Sequence, residues 1–211
     1  RLGGDELGRL RVGTGVAGGA TGLEALSGVV TVNAENGSSV AVTFAGTSGN
    51  VVKTVTGTGS AQAVALSVAD LTALGNGAVS VSAVATDAAG NSGSAGTTSF
   101  TLDTTAAAPS LALASDSGTS GSDGITDVGT VNVSGLESGA SWQYSTDGGQ
   151  TWITGSGTSF SLSANTTYAA NNIQVKQTDA AGNTSAIGQI TSTITVDTTA
   201  PSAPTGITVT P

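Results

Sequence analysis

The sequence predicts an all-β chain in which antiparallel β-sandwich domains follow one another in a linear array. Three observations carry this prediction. Short runs of alternating β-branched residues, bounded by Gly, Asn and Asp, recur at roughly 8–12-residue spacing along the chain. The hexapeptide TDAAGN stands at 86–91 and again at 178–183, an offset of 92 residues. Each copy is followed by Asp-Thr-Thr, at 103–105 and 197–199. That period matches one sandwich of about 100 residues, and 211 residues suffice for two with real cores. The predicted boundaries are 1–103, 104–198, and 199–211 for a linker with the first strand of a following repeat.

In the first unit the runs VVTVN (29–33), VAVTF (40–44), VVKTV (51–55), AVALSV (63–68), AVSVSAVA (78–85) and TTSFTL (97–102) each read as a strand. Asn36-Gly37 between the first two is a hairpin signal, because both turn residues take positive φ. SVADLTAL (67–74) predicts one helical turn, with Ser67 as cap and Asp70 three residues on. From 110 the pattern restarts with SLALA (110–114), TVNVSG (130–135), ASWQYS (140–145), TWIT (151–154), TSFSL (158–162), NIQVKQT (172–178) and QITSTITV (189–196).

Composition narrows the chemistry. The chain has no Met and is read as the interior of a longer polypeptide. It has no Cys, which removes disulfides, zinc-thiolate sites and thiol catalysis, and no His, the commonest general base and transition-metal ligand. Its formal net charge is −9, with fourteen acidic residues, ten of them Asp, against five basic ones. Three of those cations fall in the first eleven residues, so no basic nucleic-acid footprint exists. No apolar run reaches the length of a membrane span, and no signal segment is visible.

Asp concentrated in turns, with few cations to pair with, suits hard, oxygen-seeking cations. In TDAAGN, Asp87 ends a strand and Asn91 tolerates a left-handed backbone. Carboxylate, side-chain amide and carbonyl oxygens then crowd one loop end, as calcium's six to eight oxygen ligands require. Asp103 ends the last strand of the same unit, and the expectation is that both Asp residues reach one end of the sandwich. The turn SDSGTSGSDGITD (115–127) offers Asp116, Asp123 and Asp127 for the other side of a junction site, with the coordinating one among them undecided. A simpler reading makes each TDAAGN an Asx turn that needs no metal, with Asp only keeping the surface soluble. Repulsion among clustered carboxylates favours the cation.

TDAAGN followed by DTT, together with SGVVTVNAENGSSVAVTF, ADLTALGNGAVSVSAVATD and YSTDGGQTW, resembles the bacterial Ig-like repeats of giant biofilm-associated, RTX-type adhesins secreted by type I systems. The resemblance covers essentially the whole chain. It implies tandem Ig-like antiparallel β-sandwich domains that act as extenders on the bacterial cell surface, with neighbouring repeats of the same polypeptide as partners. It also implies Ca2+ at the linkers, supporting cell adhesion and biofilm formation, with any glycan or surface ligand bound elsewhere in the full-length protein. By motif, Asp87, Asn91 and Asp103 serve the first junction, and Asp179, Asn183 and Asp197 the second. Glu24 matches an acidic position near the start of such repeats and would serve a junction with a preceding domain. The first linker reads DTTAAAP where the second reads DTTAPSAP, and the absence of Pro at 107 leaves that linker softer.

Ser145-Thr-Asp147-Gly-Gly149-Gln-Thr151-Trp152 resembles the Asp-box hairpin of sialidases, which in that family is structural. Glycosidase chemistry needs flanking carboxylates, or for sialidases an Arg cluster with a Tyr nucleophile, and Arg occurs only at 1, 9 and 11, far in sequence from Tyr144 and Tyr168. No enzymatic activity is expected. The alternative to an extender is a carbohydrate-binding module using the Trp142/Trp152 hairpin; spacing puts Trp142 and Tyr144 on one strand face, which favours a packed core cluster. Thr-rich stretches at 54–60 and 191–199 are too short for an ice-binding face, and lateral assembly of the repeats is not excluded.

Overall fold

The structure is a computed structural model that describes residues 11–12 and 20–206. The chain divides into two compact units, one running through Thr105 and taking in Ala180–Asn183, the other comprising Ala106–Asp179 and the chain from Thr184. The predicted strand opening a third repeat falls on 207–211, outside the described residues.

In the first unit β1 (Arg11–Val12), β2 (Val30–Val32) and β5 (Gln62–Val64) form one sheet in the order β1-β2-β5. The facing sheet has the order β4-β3-β6-β7, from β3 (Ser39–Ala45), β4 (Asn50–Thr56), β6 (Gly77–Thr86) and β7 (Gly96–Leu102). Inward residues of both sheets, Val30, Val32 and Val64 against Val40, Val42, Phe44, Val79 and Val81, make one core. Each such side chain contributes about 1.5–3 kcal/mol by leaving water. Two helices close this unit. α1 (Gly22–Ser27) starts at Thr21, whose side chain accepts from the Glu24 N–H while the Glu24 carboxylate accepts from the Thr21 N–H. α2 (Val68–Leu74) repeats that box with Ser67 and Asp70, as the sequence predicted.

The Asn36-Gly37 turn is not a hairpin. β2 pairs with β1 and β5, whereas β3 pairs with β4 and β6, so this turn carries the chain from one sheet to the other. Burial decides this. Residues of β2 and β3 face each other across the core, and pairing them side by side would leave one apolar set in water.

The second unit repeats the plan with β8 (Ser110–Leu113), β10 (Thr130–Ser134) and β13 (Ser159–Ser161) in the order β13-β10-β8. Opposite it stands β12-β11-β15-β16, from β11 (Ser141–Ser145), β12 (Ile153–Thr154), β15 (Gln174–Thr178) and β16 (Gly188–Gln189). A third ladder joins β14 (Thr166–Tyr168), β17 (Ile194–Val196) and β9 (Ile125–Thr126), with β9 parallel to β17. The run 189–196 is thus two short strands in different ladders. The core gathers Trp142, Phe160 and Tyr168 around Val131, Val175 and Val196. Each unit is an Ig-like antiparallel β-sandwich, the second with a buried Trp on the strand where such folds place one.

Candidate metal-binding ends of the two units

The two TDAAGN turns are built alike. Bridges Thr86–Ser92 and Thr178–Thr184 close them, and the N–H groups of Gly93 and Ser185 donate to Ala85 and Gln177 carbonyls, both at 2.9 Å. The left-handed residue is the glycine, Gly90 at φ +90° and Gly182 at φ +93°, not Asn91, because only glycine avoids a Cβ penalty there. Asp87 spends its carboxylate inside its own loop. Its Oδ1 accepts from the N–H groups of Ala89 at 2.9 Å and Asn91 at 2.8 Å, and its Oδ2 from the Asn91 side-chain amide at 2.8 Å. The Asn91 side chain, then the Asn91 backbone, hold this carboxyl below its ordinary pKa.

Register separates the expected partners. β6 and β7 pair antiparallel, with Ala83 opposite Gly96 and Gly77 opposite Leu102. Asp87 therefore sits at the hairpin turn and Asp103, which falls opposite Asn76, past the far end, roughly 35 Å away along β6. Asp179 and Asp197 are opposed in the same way, since Asp179 follows β15 and the chain then runs back through β16, which is antiparallel to β15, into β17. A hairpin brings together residues equidistant from its turn, and these are not.

What the structure does bring together lies at the outgoing end of each unit. In the first, Ala20 bridges Leu102 in parallel, and the Asp103 N–H donates to the Ala20 carbonyl at 3.0 Å. That sets Glu24, bonded to Thr21, at the same end as Asp103, rather than at the incoming end where a preceding domain would attach. In the second, Thr126 pairs with Val196, and the Asp197 N–H donates to the Thr126 carbonyl at 2.9 Å. Asp127 thus stands beside Asp197, so the 115–127 turn belongs to the outgoing end of its unit. Within the turn, Asp127 Oδ1 accepts from the Ser117 hydroxyl at 2.5 Å, Asp123 Oδ1 from the Ile125 N–H at 3.0 Å, and Asp116 Oδ2 from the Gly124 N–H at 3.0 Å. Asp116 Oδ1 is buried without a hydrogen-bond partner. Asp179 is buried, and Asn183, which belongs with the first unit, donates its side-chain amide to the Asp103 carbonyl at 3.1 Å.

Two residues that the sequence reading missed organise both outgoing ends. Asn76 Oδ1 accepts from the Thr104 N–H at 3.1 Å and the Thr104 hydroxyl at 2.7 Å, while its amide donates to Thr105 Oγ1 at 2.9 Å. Asn165 Oδ1 accepts from the Thr198 N–H at 3.0 Å, the Thr198 hydroxyl at 3.1 Å and the Thr199 hydroxyl at 2.9 Å. In each Asp-Thr-Thr the second Thr N–H donates to the Asp Oδ1, at 3.2 Å for Asp103 and 2.9 Å for Asp197. Asn76 stands directly before β6 and Asn165 directly before β14.

No group of three or more His, Cys, Asp or Glu gathers among the described residues. The oxygens at each outgoing end are those of carboxylates, hydroxyls and carbonyls, the ligand types that hard cations take.

In the turn at 145–152 Asp147 accepts backbone donors, as its sequence predicts. Asp147 Oδ1 accepts from the Ser145 hydroxyl and from the Gln150 and Thr151 N–H groups at 2.7–2.9 Å, and Oδ2 from the Thr151 hydroxyl at 2.6 Å. Thr151 above all lowers this carboxyl to a pKa of about 2. Trp142 is 5% exposed and donates its indole N–H to the Gly157 carbonyl at 3.1 Å. Tyr144 stacks on Phe160 at 4.1 Å between centroids, and the Lys176 ammonium covers Trp152 at 4.0 Å from its ring centre. The Trp pair is therefore not an open sugar platform; the core claims one ring and a cation covers the other.

No protein-family model and no curated protein matches the sequence. Among solved structures the chain is similar to a 1.5-MDa bacterial ice-binding adhesin, at 24% identity over 93% of this chain and 67% of that one, TM-score 0.46. It is also similar to a tetra-tandem repeat in the extending region of a large adhesion protein, at 18% identity over 87% of this chain and 49% of that one, TM-score 0.33. A third is a BSP domain of a biofilm associated protein, at 19% identity over 82% and 28%, TM-score 0.26. This chain spans about two thirds of the first of these chains, about half of the second and about a quarter of the third. At such identities and TM-scores the likeness assigns neither a partner nor an activity.

Proposed function

We propose that the chain is a pair of extender repeats of a bacterial surface adhesin, outside the cell, whose outgoing ends bind calcium. The observation that carries this reading is the repeated outgoing end. Both sandwiches finish their last strand in an Asn-anchored Asp-Thr-Thr with a second carboxylate at the same end, Glu24 with Asp103 and Asp127 with Asp197. Extenders need compact units with a fixed point of departure for each linker, and both units anchor the residues that follow their last strand. Calcium would supply positive charge between carboxylates that otherwise repel, in a chain of formal net charge −9. Asp103 and Asp197 have Oδ1 occupied by a backbone N–H and present Oδ2.

Calorimetric titration with calcium and melting in EDTA test the reading. Binding is expected, with a higher melting temperature in calcium that Asp103→Asn with Asp197→Asn abolishes. Identical melting with and without chelator would exclude calcium.

A further inference from the structure

We infer that the linker residues on each side of the unit boundary are locked to their own unit without any metal, Thr104 and Thr105 to the first and Ala107 to the second. On one side stands the Asn76 clamp. It holds Thr104 by backbone and hydroxyl and Thr105 by hydroxyl, carrying order three residues past the end of β7. The first unit ends at Thr105 and the second begins at Ala106. On the other side Ala107 is held by both backbone groups. Its N–H donates to Glu137 Oε1 at 2.6 Å, and its carbonyl accepts from Gln177 Nε2 at 2.7 Å. Gln177 is fully buried, donates also to the Gly135 carbonyl at 3.1 Å, and accepts from the Glu137 N–H at 2.8 Å. A buried amide with all these bonds made is fixed in place, because breaking any one strands a polar group.

This reverses the expectation of a soft linker at residue 107. A proline there has no N–H to give Glu137. Pro201, at the matching place after the second Asp-Thr-Thr, stiffens by its ring instead, while Ala107 is fixed by two hydrogen bonds. The inference needs only groups within each unit and stands apart from the calcium reading.

The test is amide 15N relaxation on the intact chain in EDTA. Order parameters near ~0.85 are expected at Thr104, Thr105 and Ala107, as in rigid strands. Asn76→Ala should drop Thr104 and Thr105 below ~0.6 and speed exchange of the Thr104 amide about tenfold, with Val79 unchanged. Glu137→Ala should do the same at Ala107, with Val175 unchanged. Should Asn76→Ala fail to fold, Thr104→Val removes the hydroxyl bond alone and should still raise Thr104 exchange. Low order parameters in wild type in EDTA, or variants with wild-type values, overturn the lock. A linker loose in EDTA and rigid in calcium overturns the lock and keeps the calcium reading. A linker rigid in both, with no calorimetric binding, keeps the lock and removes calcium.

Discussion

In the first unit the connection from β5 to β6 is the helix α2, pinned by the Ser67–Asp70 box. In the second, the stretch from β13 to β15 is a turn and the short strand β14, pinned by Tyr168, whose Oη accepts from the Ser163 N–H at 2.9 Å. The cores diverge with it. The first is aliphatic around Phe44, whereas the second is a ring cluster of Trp142, Tyr144 and Phe160. Yet both connections deliver an asparagine, Asn76 or Asn165, to the same Asp-Thr-Thr. In the second unit this takes a left-handed backbone at Asn165, φ 53°, a conformation that Asn tolerates and most residues do not. The difference teaches that the interior of such a sandwich can be filled in more than one way, while the ends, which must meet a linker, are held to one design.

The comparison can be broken first at the cores. Phe44→Ala and Trp142→Ala should each cost about 3–5 kcal/mol, in different units. Both Trp residues lie in the second, so Trp fluorescence follows that unit alone while circular dichroism follows both. Phe44→Ala should advance the dichroism transition and leave the fluorescence one in place; coincident movement would mean the units unfold as one. A smaller effect comes from overfilling. A Cβ at Gly155 would meet the Trp142 ring at 2.3 Å, and one at Gly46 the Leu74 carbonyl at 2.4 Å. Gly155→Ala and Gly46→Ala should each destabilise by about 1–3 kcal/mol in urea titrations.

The two crossings can be sharpened by matched losses of one bond. Tyr168→Phe and Ser67→Ala should each cost about 1 kcal/mol, read as a lower urea midpoint with unchanged slope. The smallest effect is expected from acid. Asp70, hydrogen-bonded first by Lys53 and paired with it, and Asp147, held first by Thr151, both have pKa lowered from 3.8 to about 2. Depressed folded values mean that each contribution is complete above the ordinary carboxylate pKa and is lost as pH falls through about 2. Asp70→Asn and Asp147→Asn should therefore flatten the loss of melting temperature between pH 5 and pH 2.

Much of this fold was legible in the sequence because alternating β-branched residues mark half-buried strands directly, and Ser67 with Asp70 marks α2. Thr21-Gly-Leu-Glu24 carries the same capping signal for α1, but six residues are too few to show a helical period, so Glu24 stands out in the sequence only as an acid. β9 and β14, of two and three residues, are too short to show a period. The candidate site was less legible for a physical reason. Which carboxylates share an end depends on strand register and on the parallel bridges at Ala20 and Thr126, and linear spacing records neither. Asn76 and Asn165 act on residues about thirty positions away, through turns that have no common sequence.

Those parallel bridges have a mechanical consequence. In the first unit Ala20 donates to the Thr101 carbonyl at 2.7 Å and accepts from the Asp103 N–H at 3.0 Å; in the second, Thr195 donates to the Gly124 carbonyl at 2.8 Å and Asp197 to the Thr126 carbonyl at 2.9 Å. When the chain is stretched, tension leaving along the last strand runs across these bonds instead of along them. They are sheared together, not unzipped one after another, and the forced-unfolding rate of each unit is set by how long that small patch holds.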